Sequence, residues 1–180
     1  MAIKKGNNFA NTIFGSAFDD VINGLGGNDT LYGLGGSDLM SGGSGNDKVD
    51  GGTGDDDVYG ASGNDRIAGG SGFDYLNGGT GNDKLLGGTG NDALVGGAGV
   101  DMFQFNFGDG RDIIYDFASG TDWLDLRGTG SIDQFDLFFS DVIVNGLLST
   151  EIDYGSGSIT LVGVDQDVFH FHNYDDIIFA

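Results

Sequence analysis

An aspartate recurs every nine residues from Asp20 to Asp101, and an apolar residue stands two places after each one. The aspartates are Asp20, Asp29, Asp38, Asp47, Asp56, Asp65, Asp74, Asp83, Asp92 and Asp101. Glycines precede them in a fixed pattern. They are Gly24, Gly26 and Gly27; Gly33, Gly35 and Gly36; Gly42, Gly43 and Gly45; Gly51, Gly52 and Gly54; and Gly60 and Gly63. The series goes on with Gly69, Gly70 and Gly72; Gly78, Gly79 and Gly81; Gly87, Gly88 and Gly90; and Gly96, Gly97 and Gly99. A short carboxylate beside the bare carbonyls of a glycine turn offers oxygen ligands only. That set suits a hard cation. About six oxygens per turn pair would fit Ca²⁺ better than Mg²⁺, which keeps its waters. Of the 28 acidic residues only Glu151 is a glutamate. A generic solvated surface would mix the two acids, whereas Asp tolerates turns and keeps its oxygens near the backbone.

These residues need elements that bring them together. Cut from Gly6 in steps of nine, the chain gives eleven units without a gap, ending at Gln104. Position six of a unit is the Asp (Asn11 in the first), and position eight runs Ile13, Ile22, Leu31, Met40, Val49, Val58, Ile67, Leu76, Leu85, Leu94 and Phe103. Six glycine-rich residues predict a turn and three predict a short strand. The middle strand residue points inward and positions seven and nine point to water. Two units make one coil. Coils stacked about 4.8 Å apart form two parallel sheets over a seam of position-eight side chains, in a rod roughly 25 Å long. Turns on one edge come from alternate units, so the aspartates pair 20/38, 29/47, 38/56, 47/65, 56/74, 65/83, 74/92 and 83/101. The expectation is about eight calcium sites. The first is the weakest, because Phe18 stands where the turn wants glycine. Leu25, Leu34 and Ala61 replace glycine at position two, where the backbone carbonyl still remains to serve as ligand.

Charge narrows the partners. The net charge of −21 excludes ordinary nucleic-acid binding and disfavours anionic membranes. No stretch is long or apolar enough to span a bilayer. There is no cysteine, hence no disulfide or thiolate metal site. The first ten residues lack the apolar region of a conventional signal peptide.

The units resemble the repeat-in-toxin (RTX) nonapeptide G-G-x-G-x-D-x-U-x, closely from Gly15 to Phe103. The resemblance implies an all-β fold: a right-handed parallel β-roll of 18 residues per coil, followed by a β-rich cap. The expected divisions are a degenerate edge at 1–14, the roll at 15–104, and a cap carrying an export signal at 105–180. Residues 116–126 resemble the segment after the roll in serralysin-type proteases, and 157–164 a later strand there. Asp175 to Ala180 resemble the tail of type I secretion substrates. These likenesses imply export by the type I machinery of a Gram-negative cell, with folding on calcium outside. The repeats physically agree, since residues 6–104 carry 14 Asp against Lys48, Arg66 and Lys84, and such a chain would repel itself without metal.

Beyond Gln104 the period breaks. Phe107 to Tyr115 form a twelfth unit displaced by two residues, and ten of fourteen Phe lie at or beyond Phe103. Val142–Val144, Ser158–Val162 and Val168–Phe171 read as antiparallel strands, and the aromatic cluster reads as core. Asp109, Asp112, Asp116, Asp122 and Asp125 are candidates for one or two further calcium sites. His170 and His172 share a strand face, yet no third ligand accompanies them. The leading function is a secreted, non-catalytic calcium module. The alternative is a carbohydrate-binding or adhesion module, because similar rolls accompany alginate epimerases. An extracellular polysaccharide is then the partner, although the net charge opposes a polyanion. No H-E-x-x-H motif, nucleophile array or P-loop supports catalysis. Repeats directly after Met1 fit either a small protein or a part of a larger one.

Overall fold

The computed structural model describes residues 1–128, 138–164 and 177–178. The described strands in chain order are β1 (Ile3–Asn7), β2 (Thr12–Ser16), β3 (Val21–Gly26), β4 (Thr30–Gly35), β5 (Leu39–Ser44) and β6 (Lys48–Thr53). Then come β7 (Asp57–Ser62), β8 (Arg66–Ser71), β9 (Tyr75–Thr80), β10 (Lys84–Thr89), β11 (Ala93–Ala98) and β12 (Met102–Asn106). The last are β13 (Arg111–Ile114), β14 (Trp123–Gly128), β15 (Phe138–Val144), β16 (Leu147–Asp153), β17 (Ser158–Leu161) and β18 (Ile177–Ile178). The fold is all-β. Among the described residues no helix is long and apolar enough to cross a membrane.

Alternate strands pair in parallel, as the 18-residue coil requires. Lys48 lies opposite Arg66 and Leu39 opposite Asp57. The ten-stranded sheet runs β1-β3-β5-β7-β9-β11-β13-β17-β16-β15 and the eight-stranded sheet β18-β14-β12-β10-β8-β6-β4-β2. Between them lies a seam of fully buried side chains from Ile22 through Leu31, Met40 and Val49 to Leu94 and Phe103. The seam is one residue wide because each strand sends only alternate residues inward.

Strand length differs from expectation. Strands β3 to β11 hold six residues each, not three, so only positions four to six remain as turn. Position one therefore lies within the strand, and its glycine is buried, as Gly51 and Gly78 are. Hydrophobicity cannot reveal this, since glycine has no side chain to report its facing.

Parallel pairing also continues past Gln104. β12 pairs with β14, β11 with β13, and β13 with β17. The antiparallel expectation holds for β15 with β16 and for β16 with β17. Ser158–Leu161 is thus parallel to one neighbour and antiparallel to the other. Val168–Phe171 and both histidines lie outside the described residues. From the tail, Ile177 and Ile178 pair with Leu124 and Asp125. The aromatic cluster divides: Phe103, Phe105 and Phe117 are buried, whereas Phe107 is 74% exposed and Trp123 37%. The degenerate first unit still stacks, with β1 on β3 and β2 on β4.

Candidate metal centres

The repeat aspartates sit at the corner where a three-residue turn enters the next strand. All ten are buried despite their charge. Their neighbours explain half of that burial. Oδ1 of each from Asp38 to Asp101 accepts a hydrogen bond from the backbone N–H of the Asp one coil earlier. Asp38 N–H donates to Asp56 Oδ1 at 2.8 Å and Asp56 N–H to Asp74 Oδ1 at 2.9 Å. On the opposite edge Asp47 N–H donates to Asp65 Oδ1 at 2.7 Å and Asp65 N–H to Asp83 Oδ1 at 2.8 Å. Two ladders result, one along each edge of the roll.

The ladders extend beyond the regular repeats. Asp92 N–H donates to Asp112 Oδ1 at 2.9 Å across 20 residues, and Asp101 N–H to Asp122 Oδ1 at 3.0 Å across 21. The two or three extra residues are absorbed in the loops ahead of β13 and β14. At the other end Asn11 N–H donates to Asp29 Oδ1.

The second carboxylate oxygen has no such partner. Oδ2 of Asp29, Asp38, Asp47, Asp56, Asp65, Asp74, Asp83, Asp92, Asp101 and Asp112 is buried and accepts no hydrogen bond. An unpaired buried acceptor costs about 1–3 kcal/mol, and a charged one more. The position-one glycine shows what these oxygens face. A Cβ built on Gly51 would collide with Asp56 Oδ2 and with the Gly69 carbonyl of the next coil. Gly60 meets Asp65 Oδ2 and the Gly78 carbonyl in the same way, and Gly78 meets Asp83 Oδ2 and the Gly96 carbonyl. A carboxylate oxygen and a carbonyl oxygen thus converge with no donor between them, in space that only glycine leaves open. That is the donor set of a hard cation, and calcium fits it. Among the described residues no three His, Cys, Asp or Glu side chains meet at one point, so backbone carbonyls would have to complete any shell.

Electrostatics agrees. Burial pushes the Asp56 and Asp65 carboxyls up to about 6 and that of Asp74 to about 7, with the neighbouring aspartates adding to the rise. Burial and Asp92 likewise carry Asp112 to about 7. A positive ion would offset both causes.

The five C-terminal acids behave differently from one another. Asp112 continues the repeat pattern, with Oδ1 on the ladder and Oδ2 unpaired. Asp116 takes the N–H groups of Gly96 and Gly97, one on each oxygen. Asp122 takes Asp101 N–H on Oδ1 and Ala118 N–H on Oδ2. Asp125 forms a two-pronged ion pair with Arg127, which holds its carboxyl below the usual range. Asp109 Oδ2 accepts Asn106 N–H at 2.6 Å, closing its own loop.

Sequence reasoning missed two things. One is a position-five ladder, in which Asn46 N–H donates to Asn28 Oδ1, Asn64 N–H to Asn46 Oδ1 and Asn82 N–H to Asn64 Oδ1. The other is a disguised last unit. Tyr154 to Val162 stack on Phe107 to Tyr115, with Ser158 N–H donating to the Gly110 carbonyl and Ile159 opposite Asp112. Ile159 therefore stands where an aspartate would, and the row of acids stops. Buried Tyr154 takes the position-one place, its hydroxyl without a partner. The spacing Tyr-Gly-Ser-Gly-Ser-Ile-Thr-Leu carries that signal, with glycines at positions two and four and Leu161 at eight.

A family model for the RTX calcium-binding nonapeptide repeat matches residues 5–40, 33–67 and 68–103. The chain belongs to the RTX calcium-binding repeat family. The RTX match covers both ladders from Asp20 to Asp101, so these are calcium-binding repeats. Two solved structures are similar over 97% of this RTX chain. One is the extracellular lipase LipA from Serratia marcescens, at 18% identity and TM-score 0.45. The other is the AlgE6R3 subunit of the Azotobacter vinelandii mannuronan C5-epimerase, at 21% identity and TM-score 0.28. The chain spans 39% of the lipase and 81% of the epimerase subunit. No curated protein matches it.

Proposed function

We propose that the chain is a secreted, non-catalytic calcium module whose fold is completed by the ions it binds outside the cell. The ten buried, unpartnered Oδ2 atoms carry this reading. Each is a carboxylate oxygen held out of water with no hydrogen-bond donor, and calcium supplies the missing positive charge. In this reading the repeat aspartates bind through Oδ2 and the turn glycines through their carbonyls, and Asp112 adds a further ligand beyond the regular repeats. Asp116, Asp122 and Asp125 tie loops to the roll instead, through the amide and arginine contacts already described. Oδ1 holds each carboxylate in register, and position-one glycine keeps the cradle open.

Extracellular calcium modules bind at about 10⁻⁴–10⁻³ M, so the ions would be absent in the cytosol and present outside. An uncompensated chain with 14 Asp in its repeats would stay open for export. The acidic-then-apolar residues 175–180 support a type I route. Circular dichroism in chelator against millimolar calcium tests this. The expected result is little β signal in chelator and a cooperative gain on calcium. A chain fully β-rich in chelator would refute calcium-dependent folding.

A further inference from the structure

Two buried hydroxyls at the end of one ladder have no counterpart in the repeats. Besides the ten aspartate oxygens, the buried side-chain atoms without a hydrogen-bond partner among the described residues are Tyr154 Oη and Ser156 Oγ. Both lie in the turn that stacks on Phe107 to Asp112, so they border the same gap as Asp112 Oδ2. Three unsatisfied oxygens thus belong to one pair of turns. Burying one such group is costly, and burying three side by side needs a compensating ligand.

The two turns stack as regular repeats do. A Cβ on Gly157 would collide with the Gly110 carbonyl one coil earlier, as one on Gly63 would with the Gly45 carbonyl. The oxygens differ. Ile159 stands opposite Asp112, so the last coil brings no carboxylate. Tyr154 brings an oxygen instead. A side chain leaving position one heads for the carboxylate cradle, as the collisions of Gly51 with Asp56 and of Gly60 with Asp65 show. The Tyr154 side chain ends inside the turn, its hydroxyl 2.6 Å from a Cβ built on Gly157. It is 3% exposed. Burial, and after it the charges of Asp112 and Asp109, push that hydroxyl well above the usual range, so it stays protonated and neutral. Ser156 departs from the pattern too. Ser44 and Ser62, at the same position three, donate to the Leu25 and Gly43 carbonyls of the coil before. Ser156 makes no such bond. Beside these turns lies a cavity of about 350 Å³, lined by Gly110, Ser156, Gly157, Glu151, Asp153 and Arg111.

We propose that this gap is a further cation site of different composition, holding calcium between Asp112 Oδ2, the Tyr154 and Ser156 hydroxyls and the Gly110 carbonyl. The proposal rests on the calcium reading of the repeats and carries it beyond the last aspartate of this ladder. Calcium takes about six to eight oxygens, so four from the protein leave the remainder to water, which the neighbouring cavity admits. Hydroxyl oxygens are neutral, and one carboxylate stands here where a regular gap has two. Ligand charge sets affinity, so this ion should bind about tenfold more weakly than those of the repeats and fill last. Its effect is local. Tyr154 and Ser156 lie in the connection between β16 and β17, so the ion ties that antiparallel pair to the roll.

The test titrates the full chain with calcium, read by calorimetry and by near-ultraviolet difference absorbance. The parent chain should take up the repeat ions and then one weaker ion, whose binding perturbs tyrosine absorbance. Y154F removes the phenol oxygen and keeps the ring. It should lose the weaker ion and the absorbance change that accompanies it, with the tighter ions unchanged in number. S156A should weaken the same ion about fivefold, as loss of one neutral oxygen contact predicts. If Y154F does not fold in calcium, S156A decides alone. A Tyr154 that only packs predicts that Y154F titrates as the parent does. That result, or a parent chain with no weaker ion and water alone in the gap, would overturn the proposal and leave the repeat sites standing. A chain that binds no calcium at all would overturn the calcium reading, and this proposal with it.

Discussion

Each repeat aspartate has two oxygens with separate duties. Oδ1 is bonded to an amide one coil away, whereas Oδ2, unpartnered from Asp29 to Asp101, is the proposed cation ligand. Asp56→Asn separates these duties. The amide oxygen can keep the bond from Asp38 N–H, while the amide nitrogen places a donor toward the Gly69 carbonyl. An unsatisfied acceptor is then replaced by a hydrogen bond, a change of about 1–3 kcal/mol. In chelator, this variant should keep more β signal by circular dichroism than the parent chain. In calcium it should bind fewer ions. Unchanged stoichiometry by calorimetry would contradict the assignment of Oδ2. The same oxygens set a pH dependence. The carboxyls of Asp56, Asp65, Asp74, Asp92, Asp101 and Asp112 are raised to about 6 or 7 in the metal-free fold. An unfolded aspartate titrates near 3.9. The raised values favour the neutral form, so their stabilising contribution is full below about pH 4 and is lost as pH climbs through 6 to 7. The metal-free chain should therefore be more folded at pH 5 than at pH 8. Protons compete with calcium, so the calcium midpoint should rise as pH falls from 8 to 5.5. A midpoint independent of pH would contradict buried carboxylate ligands.

At the scale of the element, the strands carry strain at position two that the sequence announces but does not explain. Position two is left-handed from Leu25 to Gly97: Gly43 has φ 107° and Gly52 φ 106°, but Leu25, Leu34 and Ala61 hold φ of 79°, 77° and 82°. An L-residue there costs about 1–2 kcal/mol. Leu34 is 51% exposed and so loses little packing if removed. Leu34→Gly should raise the thermal midpoint of the calcium-loaded chain by a few degrees, measured by calorimetry; a lower midpoint would mean that the leucine's contacts outweigh the strain. Much of the fold was legible in the residues. Position eight predicted the seam, position six the two rows, and the nine-residue step the 18-residue register. What stayed hidden was of two kinds. Glycine at position one gave no sign that it lies inside a strand. The coils after Gln104 lose the strict period because loops absorb two or three extra residues, and the β12–β14 pair shifts register between Gln104 and Asn106. Ser119-Gly120-Thr121-Asp122-Trp123-Leu124 does preserve repeat positions three to eight, which places Asp122 on the ladder.

The whole molecule is a stack in which each coil touches only its neighbours, so its stability rests on repeated interfaces more than on a central core. A one-residue seam is thin, and the buried carboxylates beside it oppose closure. In the proposed reading the ions supply the positive charge that closure needs, and their arrangement is the central claim. Diffraction from calcium-loaded crystals at a wavelength that reveals anomalous scattering by calcium tests it most directly. Two rows of peaks are predicted, one on each edge, each peak within ligand distance of a repeat Asp Oδ2 and a glycine carbonyl, with successive peaks about 4.8 Å apart. Gaps between the Asp turns that hold no ion at saturating calcium, or ions gathered only on surface acids, would contradict it.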